Sequence, residues 1–213
     1  TVTDSAGNAS SALSVNTFVI DTTAPSLSQA TAVTSPTTDN TPAYAFTSND
    51  AGTISYGGSC SSGTTSASSG TNSISFNTLS DNSYSNCTIT VTDSAGNASS
   101  ALSVNTFVVD TTAPTVLSYF PTDIKNMSFS ITFSETVNTS TTTTNTSNTS
   151  CTGSIKISSD NFASCIQMNS QPSLSITDNK TLYLITSTNL SYGATYKIIV
   201  STALEDIAGN SLS

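Results

Sequence analysis

TVTDSAGNASSALSVNTFVIDTTAP, residues 1–25, returns 89 residues later as residues 90–114 with one change, Ile20 to Val109. That offset is about the length of one small β-sandwich domain. So faithful a copy at that spacing marks a tandem array in which each unit is one structural module. Identical modules in line suit a stalk, a spacer or a multivalent surface better than a catalyst. The expectation is a slice of a long extracellular rod.

Inside the copied stretch, D-x-A-G-N serves as a ruler, at Asp4–Asn8, Asp93–Asn97 and again at Asp206–Asn210. Gly and Asn are the residues that supply positive φ to a hairpin turn. Before the second copy, Cys87, Ile89 and Val91 share one face of an alternating strand. After it come Leu102 and Val104, then Phe107 and Val109, and the change of parity predicts a bulge near Asn105. The motif thus marks a closing hairpin. On that alignment residues 1–25 are the closing hairpin and linker of a truncated module, and residues 26–113 are one complete module. Residues 114–213 are a second module whose final strand is cut short. Asp206 follows Asp93 by 113 residues rather than 89, and much of the excess falls in 138–150, a Thr/Asn/Ser run without an apolar member. That run reads as an inserted flexible loop.

Further strands are expected at 41–48, 52–57, 71–79 and 84–92. In the last module they follow Phe129/Ile131/Phe133, Leu182/Leu184 and Tyr196/Ile198/Val200. Helical periodicity is absent, so the fold class is all-β, with sandwiches in a linear array.

Composition narrows the function classes. Only 8% of residues are charged and about two-fifths are Ser or Thr, so hydroxyl groups must carry solubility. The net charge is −9, with Lys125, Lys156, Lys180 and Lys197 the only basic residues. No basic stripe exists to neutralise phosphates, which argues against a nucleic-acid partner. No run of about 20 apolar residues suggests a membrane span in this segment. With no histidine, Ser–His and Cys–His pairs are excluded, and Glu135 and Glu205 fall at strand ends. The expectation is a non-enzyme. Sequons at Asn8, Asn86, Asn97, Asn126, Asn138, Asn145, Asn148 and Asn189 are what so much Asn, Ser and Thr yields by composition.

Cys60 and Cys87 fall in the middle module, Cys151 and Cys165 in the last. Of three pairings, 60–87 with 151–165 needs the shortest loops, and each bridge would add roughly 3–4 kcal/mol. Four buried thiols are the alternative. Zinc is disfavoured, because two Cys per module and no His cannot complete a tetrahedral site. Disulfides would imply an oxidising compartment.

V-T-D-x-A-G-N followed by F-V-V-D-T-T-A-P resembles the tandem bacterial Ig-like repeats of large surface adhesins, over residues 1–113. Residues 114–213 resemble a different bacterial Ig-like family, first described in S-layer proteins. Its marks are Ile131–Val137 (ITFSETV), Tyr196–Val200 (YKIIV) and Glu205–Asn210 (EDIAGN). The 138–150 run departs from that pattern. The resemblance implies secretion or the bacterial cell surface, and sandwiches that touch neighbouring Ig-like modules of the same chain. It also implies adhesion or surface architecture, with any host or surface ligand outside this fragment, and no enzyme activity. A spacer or ligand-binding accessory module of a secreted enzyme is the alternative.

In an Ig-like topology the B–C and F–G loops lie at the pole where the chain enters. That gathers Asp21, Asp50 and Asp93 in the middle module, and Asp110, Glu135 and Asp206 in the last. Three crowded carboxylates repel unless a cation offsets them, and calcium takes 6–8 oxygen ligands from such loops. Against calcium stands plain turn chemistry, in which the motif Asp only closes its own turn and Asp21 and Asp110 blunt strand ends. Both readings stay open at this level. The T-T-A-P linker has Pro25 and Pro114 fixing φ, so bending between modules is limited in either case.

Overall fold

The alternating segments around Tyr44, Ile54 and Ile89 become the strands of two facing sheets. The computed structural model describes residues 1–123 and 128–213; Lys125 and the sequon at Asn126 lie outside the described residues. In chain order the middle module has β1 (Leu27–Thr31), β2 (Ala43–Ser48), β3 (Gly52–Gly57), β4 (Ser66–Ala67), β5 (Gly70–Ser75), β6 (Asn82–Tyr84), β7 (Thr88–Thr92), β8 (Leu102–Ser103) and β9 (Phe107–Val109). One sheet has the order β1-β2-β5, the other β4-β3-β7-β8, and β6 pairs with β9. All pairings of these strands are antiparallel. Among the described residues there is no helix.

Period-2 patterning puts one face of each strand into the space between the sheets. Tyr44, Phe46, Ile54, Ile74, Ile89, Val91 and Phe107 form the centre of that core. Phe107 is fully buried, with its ring centroid 5.2 Å from Tyr84 and 6.1 Å from Phe76. Burying a side chain of this size contributes about 2–3 kcal/mol.

Two expected strands are shorter than the pattern suggested. The run 84–92 splits, because β6 pairs with β9 whereas β7 pairs with β3 and β8. The run 71–79 stops at Ser75, and Phe76 and Leu79 reach the core from loop positions whose amides bond Pro42 and Asn40 carbonyls. At the expected bulge the closing strand breaks over 104–106. There the Asn105 side chain accepts from Val33 N (2.9 Å) and donates to Val33 O (2.9 Å). A pinned break lets Leu102/Val104 and Phe107/Val109 point inward from opposite parities.

Residues 1–25 keep the turn and lose the strands. A bridge joins Thr3 to Ala9, but residues 11–26 have no regular pairing. Phe18, Val15 and Ile20 are 77%, 81% and 80% exposed.

The last module contains β10 (Val116–Asp123), β11 (Ser128–Phe133), β12 (Ile155–Ser158), β13 (Ser173–Leu174), β14 (Thr181–Ile185) and β15 (Lys197–Val200). Its sheets run β10-β11-β14-β13 and β12-β15. They enclose a separate core of Phe129, Ile131, Phe133, Ile155, Ile157, Met168, Leu182, Leu184 and Leu204. The 138–150 run, expected as an inserted flexible loop, has no regular strand and most of it is exposed, but its middle is held against the module. Thr142, Thr144 and Asn145 are buried, and Thr144 Oγ1 donates to Ile155 O (3.0 Å). Gln171 clamps Thr144 from both sides, and Asn138 N reaches Glu205 O (2.8 Å). Hydrogen bonds make burial of the Thr142 and Thr144 hydroxyls tolerable, whereas Asn145 donates to Asn148 O (2.6 Å) and its Oδ1 is buried without a partner among the described residues. Cys60 pairs with Cys87 and Cys151 with Cys165, as the shortest-loop scheme expected.

Candidate functional site

Each D-x-A-G-N turn is closed by its own aspartate. Asp93 Oδ1 accepts from Ala95 N (2.9 Å) and Asn97 N (2.8 Å), while Oδ2 accepts from Asn97 Nδ2 (2.9 Å). Asp4 makes the same three bonds at 2.9, 2.9 and 3.0 Å. Asp206 Oδ1 accepts from Ala208, Gly209 and Asn210 amides, and its Oδ2 from Asn210 Nδ2 (2.8 Å). These donors favour the ionised form, so the bonds from Asn8 and Asn97 hold the carboxyls of Asp4 and Asp93 below the ordinary value. Positive φ falls on Gly7 (89°), Gly96 (93°) and Gly209 (101°) alone in these turns. The motif Asn therefore serves as an amide donor and not, as its residue type suggested, as a left-handed turn residue.

The structure brings together both expected triads. Asp21 precedes β1, Asp50 lies between β2 and β3, and Asp93 follows β7; each offers one carboxylate oxygen, all within 4.8 Å of one another. A recess of about 270 Å³ lies between Asp50 and Asp93. Asp110 after β9, Glu135 after β11 and Asp206 after β15 form the second set within the same limit. Burial first, then the charges of Asp110 and Asp206, push Glu135 above the usual carboxylate range, with Lys180 opposing. Lys180 Nζ donates to Ser134 O (2.8 Å), beside Glu135.

The donor set fits a hard cation. Two oxygens sharing one calcium at 2.3–2.6 Å lie no more than about 5 Å apart, as these do, and the ligands are all oxygen. Asp21, Asp50 and Asp93 would hold one ion, and Asp110, Glu135 and Asp206 the other. The aspartates that close the turns, Asp93 and Asp206, are also members of the two clusters.

The chain arriving at each module is held by more than these acids. Pro25 and Pro114 are buried. Ser26 N donates to Asn49 Oδ1 (2.7 Å), and Thr115 N donates to Ser134 Oγ (3.0 Å) at the equivalent place. Asp81 accepts from Thr111 N, Thr111 Oγ1 and Thr112 Oγ1, fastening the second linker to the module it leaves. Asn97 Nδ2 also donates to Asp21 O (3.1 Å), and Asn210 Nδ2 to Asp110 O (2.9 Å). From sequence, Asn97 and Asn210 read only as turn residues and Lys180 only as one of four basic residues, and Asp81 is not singled out. The constancy of Asn in all three turns, where only Gly needs unusual backbone, was the available signal.

A cleft of about 700 Å³ between β10 and β15 is lined mainly by Val116, Tyr119, Ile131, Ile198, Val200 and Leu212. Among the described residues its lining holds one lysine, Lys197, which donates to Asn161 Oδ1 (2.7 Å), and no acidic side chain.

Residues 110–213 match a protein family described as a bacterial Ig-like domain, and the matched span takes in all three carboxylates of the second set. No curated protein and no solved structure matches the chain. Such a domain is a structural module, and the two disulfides fit an extracellular or surface setting. Two facing sheets, a closing hairpin after β15 and this match together make residues 110–213 a bacterial Ig-like domain.

Proposed function

We propose that this chain is a non-catalytic structural or adhesive segment of a bacterial cell-surface or secreted repeat protein. Its sandwiches form a rod-like stalk that projects a binding region, with calcium stiffening the joints. One observation carries this reading: the same joint is built twice, ahead of modules of different sequence. In both, a linker Asp, a loop acid and the motif Asp converge behind a buried proline. A catalytic protein would have no need to repeat that construction, whereas a stalk needs every joint alike. The adhesin-like repeat character of 1–113, the S-layer kind of the last module and the calcium all belong to this proposal.

The test follows thermal unfolding and overall length by small-angle scattering while calcium and then chelator are added. Calcium should raise the melting temperature and sharpen the length. A chain carrying Asp50→Asn and Glu135→Gln should lose both responses. No change in either quantity with calcium would remove the metal from the proposal.

A further inference from the structure

The motif asparagine has two side-chain N–H groups, and at both joints both are committed. One satisfies Asp Oδ2 within the turn, at 2.9 Å for Asn97 and 2.8 Å for Asn210. The other reaches across the joint to the backbone carbonyl of the arriving Asp, at 3.1 and 2.9 Å. Among the described residues Asn8 makes the first bond without the second. At the second joint the arriving residue is held from both sides, since Asp110 N donates to Thr37 O (3.0 Å) in the middle module. Its carbonyl accepts from Asn210 in the last. Only the torsions of Asp110 lie between those two holds, and its side chain is tied to Thr112 N (3.2 Å).

We infer that Asn97 and Asn210 are joint latches, which fix each linker peptide to the following module and align the joint without a metal. The latch presents the carbonyl side of Asp21 or Asp110 to the turn, and so delivers its carboxylate to the cluster. A cation then meets oxygens already gathered, and removing it leaves the joint aligned. The inference rests on reading the chain as jointed modules, and not on calcium.

Asn210 is a positioning residue, and paired spin labels test it. One label is placed on residues 26–113 and one on 114–213, and the distance distribution is measured in chelator and in calcium. In chelator, wild type should give a narrow main distance. Asn210→Ala should lower the ratio of that component to the dispersed one by about fivefold or more. Asn8→Ala, which loses only a turn bond, should leave it unchanged. A narrow distribution in Asn210→Ala would overturn the latch and leave the stalk standing. A wild-type distribution broad in chelator but narrow in calcium would overturn it in favour of the metal. A distribution broad in both would overturn latch and stalk together. A readout on wild type avoids any folding defect of the variant. The side-chain amide protons of Asn210 and Asn97 should exchange with water about tenfold more slowly than those of Asn8. Equal exchange would overturn the latch.

Discussion

Residues 1–25 and 90–114 share all but one residue, yet only the second copy contains strands. Their turns agree bond for bond, from the Asp side chain to the Asn amide. Beyond the turn they part: Phe107 is fully buried under Tyr84 and Phe76, while Phe18 is 77% exposed. The difference separates two kinds of information. A turn closed by i to i+2 and i to i+4 bonds carries its partners within five residues. A strand borrows its partners from β6 and β7, and among the described residues the first copy has no counterpart of either.

The largest test of that contrast is truncation of the two phenylalanines. In a chain of residues 1–213, Phe107→Ala should cost about 3–5 kcal/mol in denaturant unfolding, whereas Phe18→Ala should stay within about 0.5 kcal/mol. Similar costs at both positions would mean that the first copy is packed after all. Next, replacing Cys60 and Cys87 together by Ala should cost about 2–4 kcal/mol in the same assay, since Cys87 anchors the strand into the second turn. Amide exchange should show the Asp4–Asn8 turn unaffected. A smaller effect is expected from a pair of serines. Ser99 Oγ accepts from Val91 N (3.0 Å) in a buried setting, and Ser10 Oγ accepts from Val2 N (2.9 Å) in the open. Ser99→Ala should cost about 1–2 kcal/mol and Ser10→Ala almost nothing, as read by thermal unfolding.

The smallest effect is a titration, and there the copies should agree. Hydrogen bonds from the motif Asn hold both Asp4 and Asp93 below the ordinary aspartate value. A lowered folded pKa means that the turn's contribution is present above the ordinary value and lost as pH falls through the lowered one. Carboxyl chemical shifts should place both midpoints below the ordinary aspartate value. An ordinary value for Asp4 beside a lowered one for Asp93 would show that the turn needs the module around it.

The sequence was most legible where structure depends on near neighbours or on strict alternation. The 129/131/133 and 182/184 patterns lie on β11 and β14, and topology alone gathered both acid triads. Legibility failed where polar groups do the packing. A run such as 138–150 looks solvated because it lacks apolar residues, yet Thr142 and Thr144 in its middle are buried, bonding backbone that no periodicity announces. β10 carries Pro121 and no clean alternation, so it passed unnoticed. The linker bonds of Asn97 and Asn210 escaped because the second amide hydrogen acts on a residue 76 or 100 positions away.

The joints themselves decide between a stalk and a string of loose modules, and residual dipolar couplings in a weakly aligning medium read them most directly. If latch, buried proline and acid cluster fix the second joint, residues 26–113 and 114–213 should report one common alignment tensor when calcium is present. Two tensors of clearly different magnitude would mean that the modules swing freely, and would contradict the stalk.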